Sequence, residues 1–427
     1  MRILQMCHGY PPESVGGVEQ HVDGLAHALV RAGHEVHVYA RSSAPNSKQG
    51  EVLHGGPENP SITRAVYRWE GIKTLLDTYT CAPMASTLRQ FLAQRKAAGQ
   101  LFDVAHVHHL TGMSTDSVAV LHEFGIPIVL TLHDYWLICP RGQMWHRREE
   151  VCERVEQNRC GECLALTFPS WVAAADGPAI ANTIHDRARD ILGLVTRLVI
   201  PSARALPPFL ALGLDRQRVT VVENGVDTSA LATLAPPPCG PGPLRLGYLG
   251  TVMPSKGLHI LLDAVLSLPK GSVELHIYGN AVSYHGDDSF LTRCFQKMRP
   301  NSGIRYTGPY TTADLPTILG GLDVVCAPAL WHEAFGLTVR EALAAARPVL
   351  VSRVGGLQDA VVDGVEGRVL PPGDVAAWAK AIWELAEDRS LVRAMSARSR
   401  PRARGFDAMA ADLLDVYEEL AAPALPT

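Results

Sequence analysis

The sequence predicts an α/β protein built as two doubly wound, Rossmann-like domains facing each other across a cleft. Three observations predict it. Short apolar runs alternate from end to end with stretches whose apolar residues recur at helical spacing. A break rich in proline and glycine, Pro236-Pro237-Pro238 followed by Gly240-Pro241-Gly242-Pro243, interrupts that pattern, which then restarts. The 427 residues suffice for two domains of ~100–200 residues each. With 47% of them hydrophobic, the chain can fill two cores.

Taken in order, Ile3–Met6 reads as a buried strand and His8 to Gly17 as a glycine-containing loop. Val18, Val22, Leu25 and Leu29 then lie on one face of a helix, which Gly33 ends as a C-terminal cap. Val36–Ala40 is the next strand. A βαβ unit of this kind implies a parallel sheet. Further strands are expected at Asp103–Val107, Ile126–Leu132, Arg197–Ile200 and Val219–Val222. The segment 41–100 is less regular, though Leu88, Phe91 and Leu92 with Arg89, Arg95 and Lys96 suggest a basic amphipathic helix. After the break come strands at Leu244–Leu249, Val273–Tyr278, Ile304–Thr307, Val324–Ala327 and Val349–Ser352, with helices between them, and a last amphipathic helix from Phe406 to Leu420. The expected organisation is therefore a first domain over 1–228, a linker over 229–243 and a second domain over 244–404. The remaining stretch, 405–427, is expected to be a helix and tail packing back on the first domain.

A formal net charge of −4 gives no electrostatic support for nucleic-acid binding. No apolar run approaches the ~18–20 residues needed to span a bilayer, and the N-terminus lacks the apolar core of a signal peptide. The expected location is the cytoplasm, with peripheral contact at the inner face of a membrane if the basic helix near Leu88 docks there. Nine cysteines, an odd number in a large chain, suit reduced thiols better than a disulfide framework.

The strongest motif is Trp331-His332-Glu333-Ala334-Phe335-Gly336-Leu337-Thr338-Val339-Arg340-Glu341. Two glutamates flank seven residues at a strand–loop–helix junction. Carboxylates accept hydrogen bonds from vicinal hydroxyls, which sugars and ribose both offer. The amides of Phe335, Gly336 and Leu337 would leave a helix N-terminus, where phosphate is favoured. A capping box of Thr338 with Glu341 explains the second glutamate in a plainer way, but explains neither Glu333 nor the glycine between them.

With these residues in view, the chain resembles the retaining glycosyltransferases of family 4, whose E-x7-E motif the run matches and whose fold is GT-B. Other segments agree in order: His8-Gly9-Tyr10-Pro11-Pro12 with Gly16-Gly17-Val18-Glu19, then Asn224-Gly225-Val226-Asp227, then Leu249-Gly250-Thr251 with Lys256-Gly257-Leu258, and the later Gly355-Gly356, Gly364 and Gly367. The resemblance covers about positions 3 to 373. It implies that Glu333 holds hydroxyls of the transferred sugar and Glu341 those of ribose. Lys256 would neutralise a diphosphate, and Gly16 and Gly17 would let backbone approach the phosphates. Thr251 stands where many members carry arginine, Arg347 where glycine is common, and Asp359 where glutamate is usual.

Two further groups stand out. His133, in Thr131-Leu132-His133-Asp134, ends an apolar strand, where open α/β sheets place ligands; in the resembled family a histidine here faces the donor sugar and phosphate. His106, His108 and His109 cluster near another strand end and are read as structural. Cys139, Cys152, Cys160 and Cys163 lie within 25 positions and include a C-x-x-C, so a structural zinc is one reading and ordinary loop thiols the other.

The expected reaction moves a sugar from a nucleotide-diphosphate donor to the hydroxyl of a sugar, a lipid-linked glycan or a small molecule. Catalysis would need no cofactor. No D-x-D occurs, so a metal-bound donor of the single-domain type is not expected. The resemblance implies retention, with a phosphate oxygen taking the acceptor proton; for inversion, Asp134 or His133 would be the base. Competing readings are a sugar-nucleotide epimerase or phosphorylase on the same fold, a non-catalytic binding protein, and a nicotinamide oxidoreductase, which the missing G-x-G-x-x-G disfavours.

Overall fold

The computed structural model describes residues 1–55, 58–68, 70, 72–298 and 303–421. The chain forms two compact units. The first comprises Met1–Arg148, Cys152–Gly225 and the C-terminal helix; the second comprises Val226–Gly405 with Glu149–Val151.

The first unit holds an eight-stranded sheet: β1 (Arg2–Cys7), β2 (Glu35–Ser42), β3 (Val52–His54), β4 (Ser61–Val66), β5 (Val104–Val107), β6 (Ile128–Thr131), β7 (Arg197–Ile200) and β8 (Val219–Val221). Their order is β3-β4-β2-β1-β5-β6-β7-β8, all parallel except β3, which runs antiparallel to β4 at the edge. Helices cover both faces of a parallel sheet, so its strands are apolar throughout rather than alternating. Ile3, Leu4, Met6 and Cys7 of β1 are accordingly all fully buried.

The pair β3–β4 was not expected from the sequence. Ser61–Val66 mixes serine, threonine and arginine with its apolar residues, so it lacks the apolar run of the central strands; it joins the sheet through backbone bonds to β2. The helix Ala82–Ala97 includes the basic segment, and its apolar side is spent on the core: Leu88 and Leu92 are fully buried and Phe91 nearly so. Arg89 pairs with Glu123, Arg95 with Glu35, and Lys96 lies over the Phe124 ring. The apolar face that membrane docking would need is therefore already packed.

The helix Phe406–Ala421 belongs to the first unit although it follows the second in sequence. Met409, Leu413, Val416 and Tyr417 complete a core that includes Val22, Leu25 and Leu29 of the helix Gly17–Arg31. Gly24 is where Phe406 crosses, since a Cβ there would meet the Phe406 ring at 2.3 Å.

The second unit holds a six-stranded parallel sheet of β9 (Leu244–Leu249), β10 (Val273–Tyr278), β11 (Ile304–Gly308), β12 (Val324–Ala327), β13 (Val349–Ser352) and β14 (Gly367–Leu370), in the order β11-β10-β9-β12-β13-β14. Its core runs from Leu244 and Leu246 to Trp378. The stretch read as a linker is fastened to this unit rather than loose. It contains a short 3-10 turn, Leu231–Thr233; Arg347 donates to the Ala235 carbonyl at 2.9 Å and Arg400 donates to that of Leu234. Arg347, which departs from the family's glycine, thus has a structural use here.

Candidate functional site

In the second unit, the chain leaves β12, crosses Trp331 to Gly336, and enters the helix Leu337–Ala344. Gly336 caps that helix with φ +81°, a left-handed conformation that glycine adopts without a steric cost. Thr338 is the second helical residue and no side chain caps this terminus, so the capping box with Glu341 does not form. The plainer explanation of Glu341 is thereby removed. The first helical amides have no acceptor inside the helix and lie at the positive end of its dipole.

Arg340 fixes this loop. It is almost fully buried, stacks at 3.9 Å on the Phe335 ring, donates to the Phe335 carbonyl, and reaches the Gly356 carbonyl at 3.0 Å. Gly356 returns an amide to the Glu333 carbonyl at 2.7 Å. Sequence reasoning missed this arginine, although its place beside Glu341 inside the motif was the available signal.

Lys256 comes from the short turn Pro254–Lys256 after β9. Its Nζ lies 2.5 Å from Glu333 Oε2 and 5.1 Å from the centre of the Trp331 ring. Gly257, at φ +71°, makes this approach feasible, since a Cβ there would sit 1.9 Å from the Pro328 carbonyl oxygen. Leu330 N–H adds a bond to the Ser255 carbonyl at 2.8 Å. Two residues distant in sequence, Lys256 and Glu333, are thus brought together as expected of one site. Glu341 lies about one turn into the helix that this loop enters. Burial raises its carboxyl to about 7, so near neutrality it is poised between acid and carboxylate.

In the first unit, Gly16 is the N-cap of Gly17–Arg31 in extended conformation. Glu19, in the first turn of that helix, accepts from Ser14 Oγ at 2.6 Å and lies 3.4 Å from His8 Nε2. A Cβ on Gly16 would stand 2.7 Å from the Glu19 carboxylate, so the glycine keeps this loop closed on the glutamate.

His133 sits just beyond β6 and belongs to a continuous chain of polar contacts. Its Nε2 is 3.0 Å from His108 Nδ1; His108 Nε2 is 2.6 Å from Gln5 Oε1; Gln5 donates to Tyr417 Oη at 3.5 Å; Tyr417 Oη is 2.5 Å from His106 Nδ1; and His106 Nε2 is 2.6 Å from Thr131 Oγ1. The Gln5 carbonyl requires a proton on His108 Nε2, which leaves His108 Nδ1 as an acceptor for His133 Nε2–H. His133 then keeps Nδ1 as its remaining acceptor. Burial holds His106, His108 and His133 well below the usual imidazole range, so all three are neutral at pH 7. His108 is thus bonded directly to His133, and His106 is joined to it through Tyr417, Gln5 and His108. Asp134 accepts from Trp136 N–H at 2.8 Å and lies 3.5 Å from His109 Nε2.

Cys139, Cys152, Cys160 and Cys163 line one hollow. Burial raises the Cys139 thiol, Cys152 to about 12 and Cys160 to about 11. Cys163 Sγ accepts from Arg147 N–H and Cys160 Sγ from Glu156 N–H, each at 3.3 Å. Among the described residues no three of these sulfurs come within 4.8 Å of one another; the only histidine, cysteine or carboxylate ligand atoms so gathered belong to His21, His108 and His133.

Two parallel-sheet units, one presenting a lysine, two carboxylates and a helix N-terminus on adjoining loops, have the architecture of a GT-B transferase of nucleotide-activated sugars. Residues 15–230 match the family model described as Glycosyltransferase Family 4, and residues 243–388 match that described as Glycosyl transferases group 1. The chain belongs to glycosyltransferase family 4. It is 26% identical over 423 residues to the glycogen synthase of Mycobacterium tuberculosis (strain CDC 1551 / Oshkosh), covering 94% of this chain and 90% of that one. Sucrose-phosphate synthase from Thermosynechococcus elongatus superposes with a TM-score of 0.70 at 19% identity, over 98% of each chain. Anabaena HepE in complex with UDP gives a TM-score of 0.69 at 16% identity, over 98% of this chain and 100% of that one. The fold is GT-B, and the protein is a glycosyltransferase that moves a sugar from a nucleotide-sugar donor to an acceptor hydroxyl. Among the described residues no helix is long and apolar enough to cross a membrane.

Proposed function

We propose that the second unit divides the donor among four groups. Glu341 accepts the ribose hydroxyls, Lys256 and the amides of Phe335, Gly336 and Leu337 hold the diphosphate, and Glu333 accepts hydroxyls of the transferred sugar. The observation that carries this reading is the 2.5 Å contact of Lys256 with Glu333, in the loop that leads into the helix carrying Glu341. A cation for phosphate and two acceptors for hydroxyls are the groups that the diphosphate, the ribose and the sugar of such a donor call for. Lys256 and the helix N-terminus stabilise the charge that grows on the leaving diphosphate.

In the first unit, neutral His133 offers Nδ1 to a hydroxyl, and Gly16 and Gly17, having no side chains, let the backbone approach a phosphate oxygen. The reaction retains anomeric configuration: the acceptor attacks on the face the leaving group vacates, and a phosphate oxygen takes its proton. Lys256 supplies the charge that a metal supplies elsewhere, so donor binding needs no divalent ion. HepE was solved with UDP, which makes a uridine nucleotide the first donor to try. Synthesis of a polysaccharide or glycoconjugate is the role such a transfer serves.

The test is a panel of UDP-, GDP- and ADP-sugars measured by thermal stabilisation in EDTA. A ligand that binds only the native protein raises the melting temperature by mass action. One base should stand out and act without metal. Stabilisation that requires magnesium or manganese would overturn the metal-free reading.

A further inference from the structure

The buried end of the first unit contains a constellation that the transfer reaction does not use as a whole. His21 points inward from the helix Gly17–Arg31, His108 follows β5, and His133 follows β6, the strand paired beside β5. One nitrogen from each lies within 4.8 Å of the other two. His21 is 3% exposed, yet neither of its ring nitrogens has a hydrogen-bond partner. A buried polar group without a partner is costly and uncommon. Its ring centre is 4.5 Å from that of His133 and 5.3 Å from that of His108.

We propose that His21, His108 and His133 form a binding site for one divalent transition-metal ion of the zinc class. Two nitrogens on a tetrahedral zinc, each at about 2.0–2.1 Å, stand about 3.3 Å apart. His108 Nδ1 and His133 Nε2 are 3.0 Å apart, so a few tenths of an ångström suffice to admit an ion between them. His133 would carry its proton on Nδ1 instead of Nε2, so that Nε2 and His108 Nδ1 both offer lone pairs to the ion, and His21 would supply the third. Gln5 completes the arrangement. Its carbonyl holds His108 Nε2–H at 2.6 Å and so aims Nδ1 at the centre, as outer partners of metal-bound histidines do. Three imidazoles suit zinc, copper, nickel and cobalt and not magnesium or calcium. They also leave a coordination position for water or another small ligand. His108 and His133 also line a hollow together with Asp134 and Trp136. Binding rests on this geometry alone. One consequence rests on the role proposed for His133: occupancy withdraws that residue and inhibits transfer until a chelator removes the ion.

Full-length protein freed of metal is titrated with Co(II). The expected result is one equivalent bound with the visible absorption of four-coordinate cobalt, displaced by Zn(II), without the near-ultraviolet charge transfer of thiolate ligands. His21→Leu and His108→Leu should each lose the band, and Gln5→Leu should weaken binding by about 10–100-fold. Melting without metal reports whether each variant is folded. Cu(II) on the unaltered protein needs no variant: its paramagnetic resonance should show splitting from nitrogen. Absence of the cobalt band and of that splitting overturns the proposal. So does a band that survives His21→Leu, or thiolate charge transfer that disappears with Cys160→Ser, which would place the ion at Cys139, Cys152, Cys160 and Cys163.

Discussion

The histidine end of the first unit and the carboxylate site of the second are both polar clusters set in protein, and they are stabilised by different means. Among the histidines, charge is removed: His106, His108 and His133 are neutral, and hydrogen bonds link them with Gln5, Tyr417 and Thr131. In the second unit charge is retained: Lys256 faces Glu333, while Glu341 is desolvated enough to sit near its titration midpoint. The first arrangement fixes ring orientations and tautomers. The second holds groups that a charged, hydroxyl-rich ligand would stabilise. The two arrangements can be perturbed separately.

The largest expected effect is at the charged site. Lys256→Met should lower kcat/KM by about 10²–10³-fold, the scale of losing one well-placed electrostatic contact. It should weaken nucleoside diphosphates far more than nucleosides. Equal losses on both would remove Lys256 from the phosphate position.

Next comes backbone geometry. Gly257→Ala places a methyl 1.9 Å from a carbonyl oxygen at φ +71°, whereas Gly33→Ala, at φ +89°, meets nothing within 4 Å. Both pay for the left-handed conformation, but only Gly257→Ala must also move the loop that carries Lys256. It should cost well over about 1 kcal/mol in denaturant unfolding, and more than Gly33→Ala. Equal costs would show that the close approach is not maintained in solution.

The pH dependence of stability distinguishes the clusters as well. The Glu341 carboxyl is raised from 4.5 to about 7 by burial, so between those values the native state holds a proton that the unfolded chain has released. Its contribution is full below pH 4.5 and is lost as pH rises through about 7. The slope is at most about 1.4 kcal/mol per pH unit. Glu341→Gln should flatten the curve in that window; an unchanged curve would mean that Glu341 is not desolvated. Donor affinity should move the other way and improve as pH rises through 7, because hydroxyls bond better to the carboxylate.

The smallest effect is expected at Tyr417→Phe. It removes the hydroxyl between Gln5 and His106 at a cost of about 1 kcal/mol. Donor KM should change little while kcat falls if the chain orients His133. An unaltered kcat would make the chain purely structural.

The same contrast governs how much could be read from the sequence. The strands of both sheets other than β3, β4 and β14 were legible because burial on two faces writes an apolar run. The glutamates, Lys256 and His133 were legible because local motifs carry them. The partners that set their geometry were not. Gln5 and Tyr417 lie 412 positions apart, and only packing of the C-terminal helix beside the first joins them. His21 falls on a helix face read as apolar. Arg347 reaches the linker through a long-range bond that no spacing announces. The cysteines show the reverse case: close in sequence, they line a common hollow, but among the described residues no three of their sulfurs lie within 4.8 Å of one another.

The central claim is that Glu333 and Glu341 serve different parts of one donor, and binding of the nucleoside diphosphate alone tests it most directly. On this claim Glu333, 2.5 Å from Lys256, would compete with the diphosphate for that lysine, whereas Glu341 would accept the ribose. Calorimetric titration of the nucleoside diphosphate should therefore show tighter binding to Glu333→Gln and weaker binding to Glu341→Gln, each relative to the unaltered protein. In turnover with the complete donor, the first variant should lose kcat, by about 10²-fold, and the second should mainly raise KM. If both substitutions change diphosphate affinity in the same direction and to the same extent, the two glutamates do not divide the donor and the account is wrong.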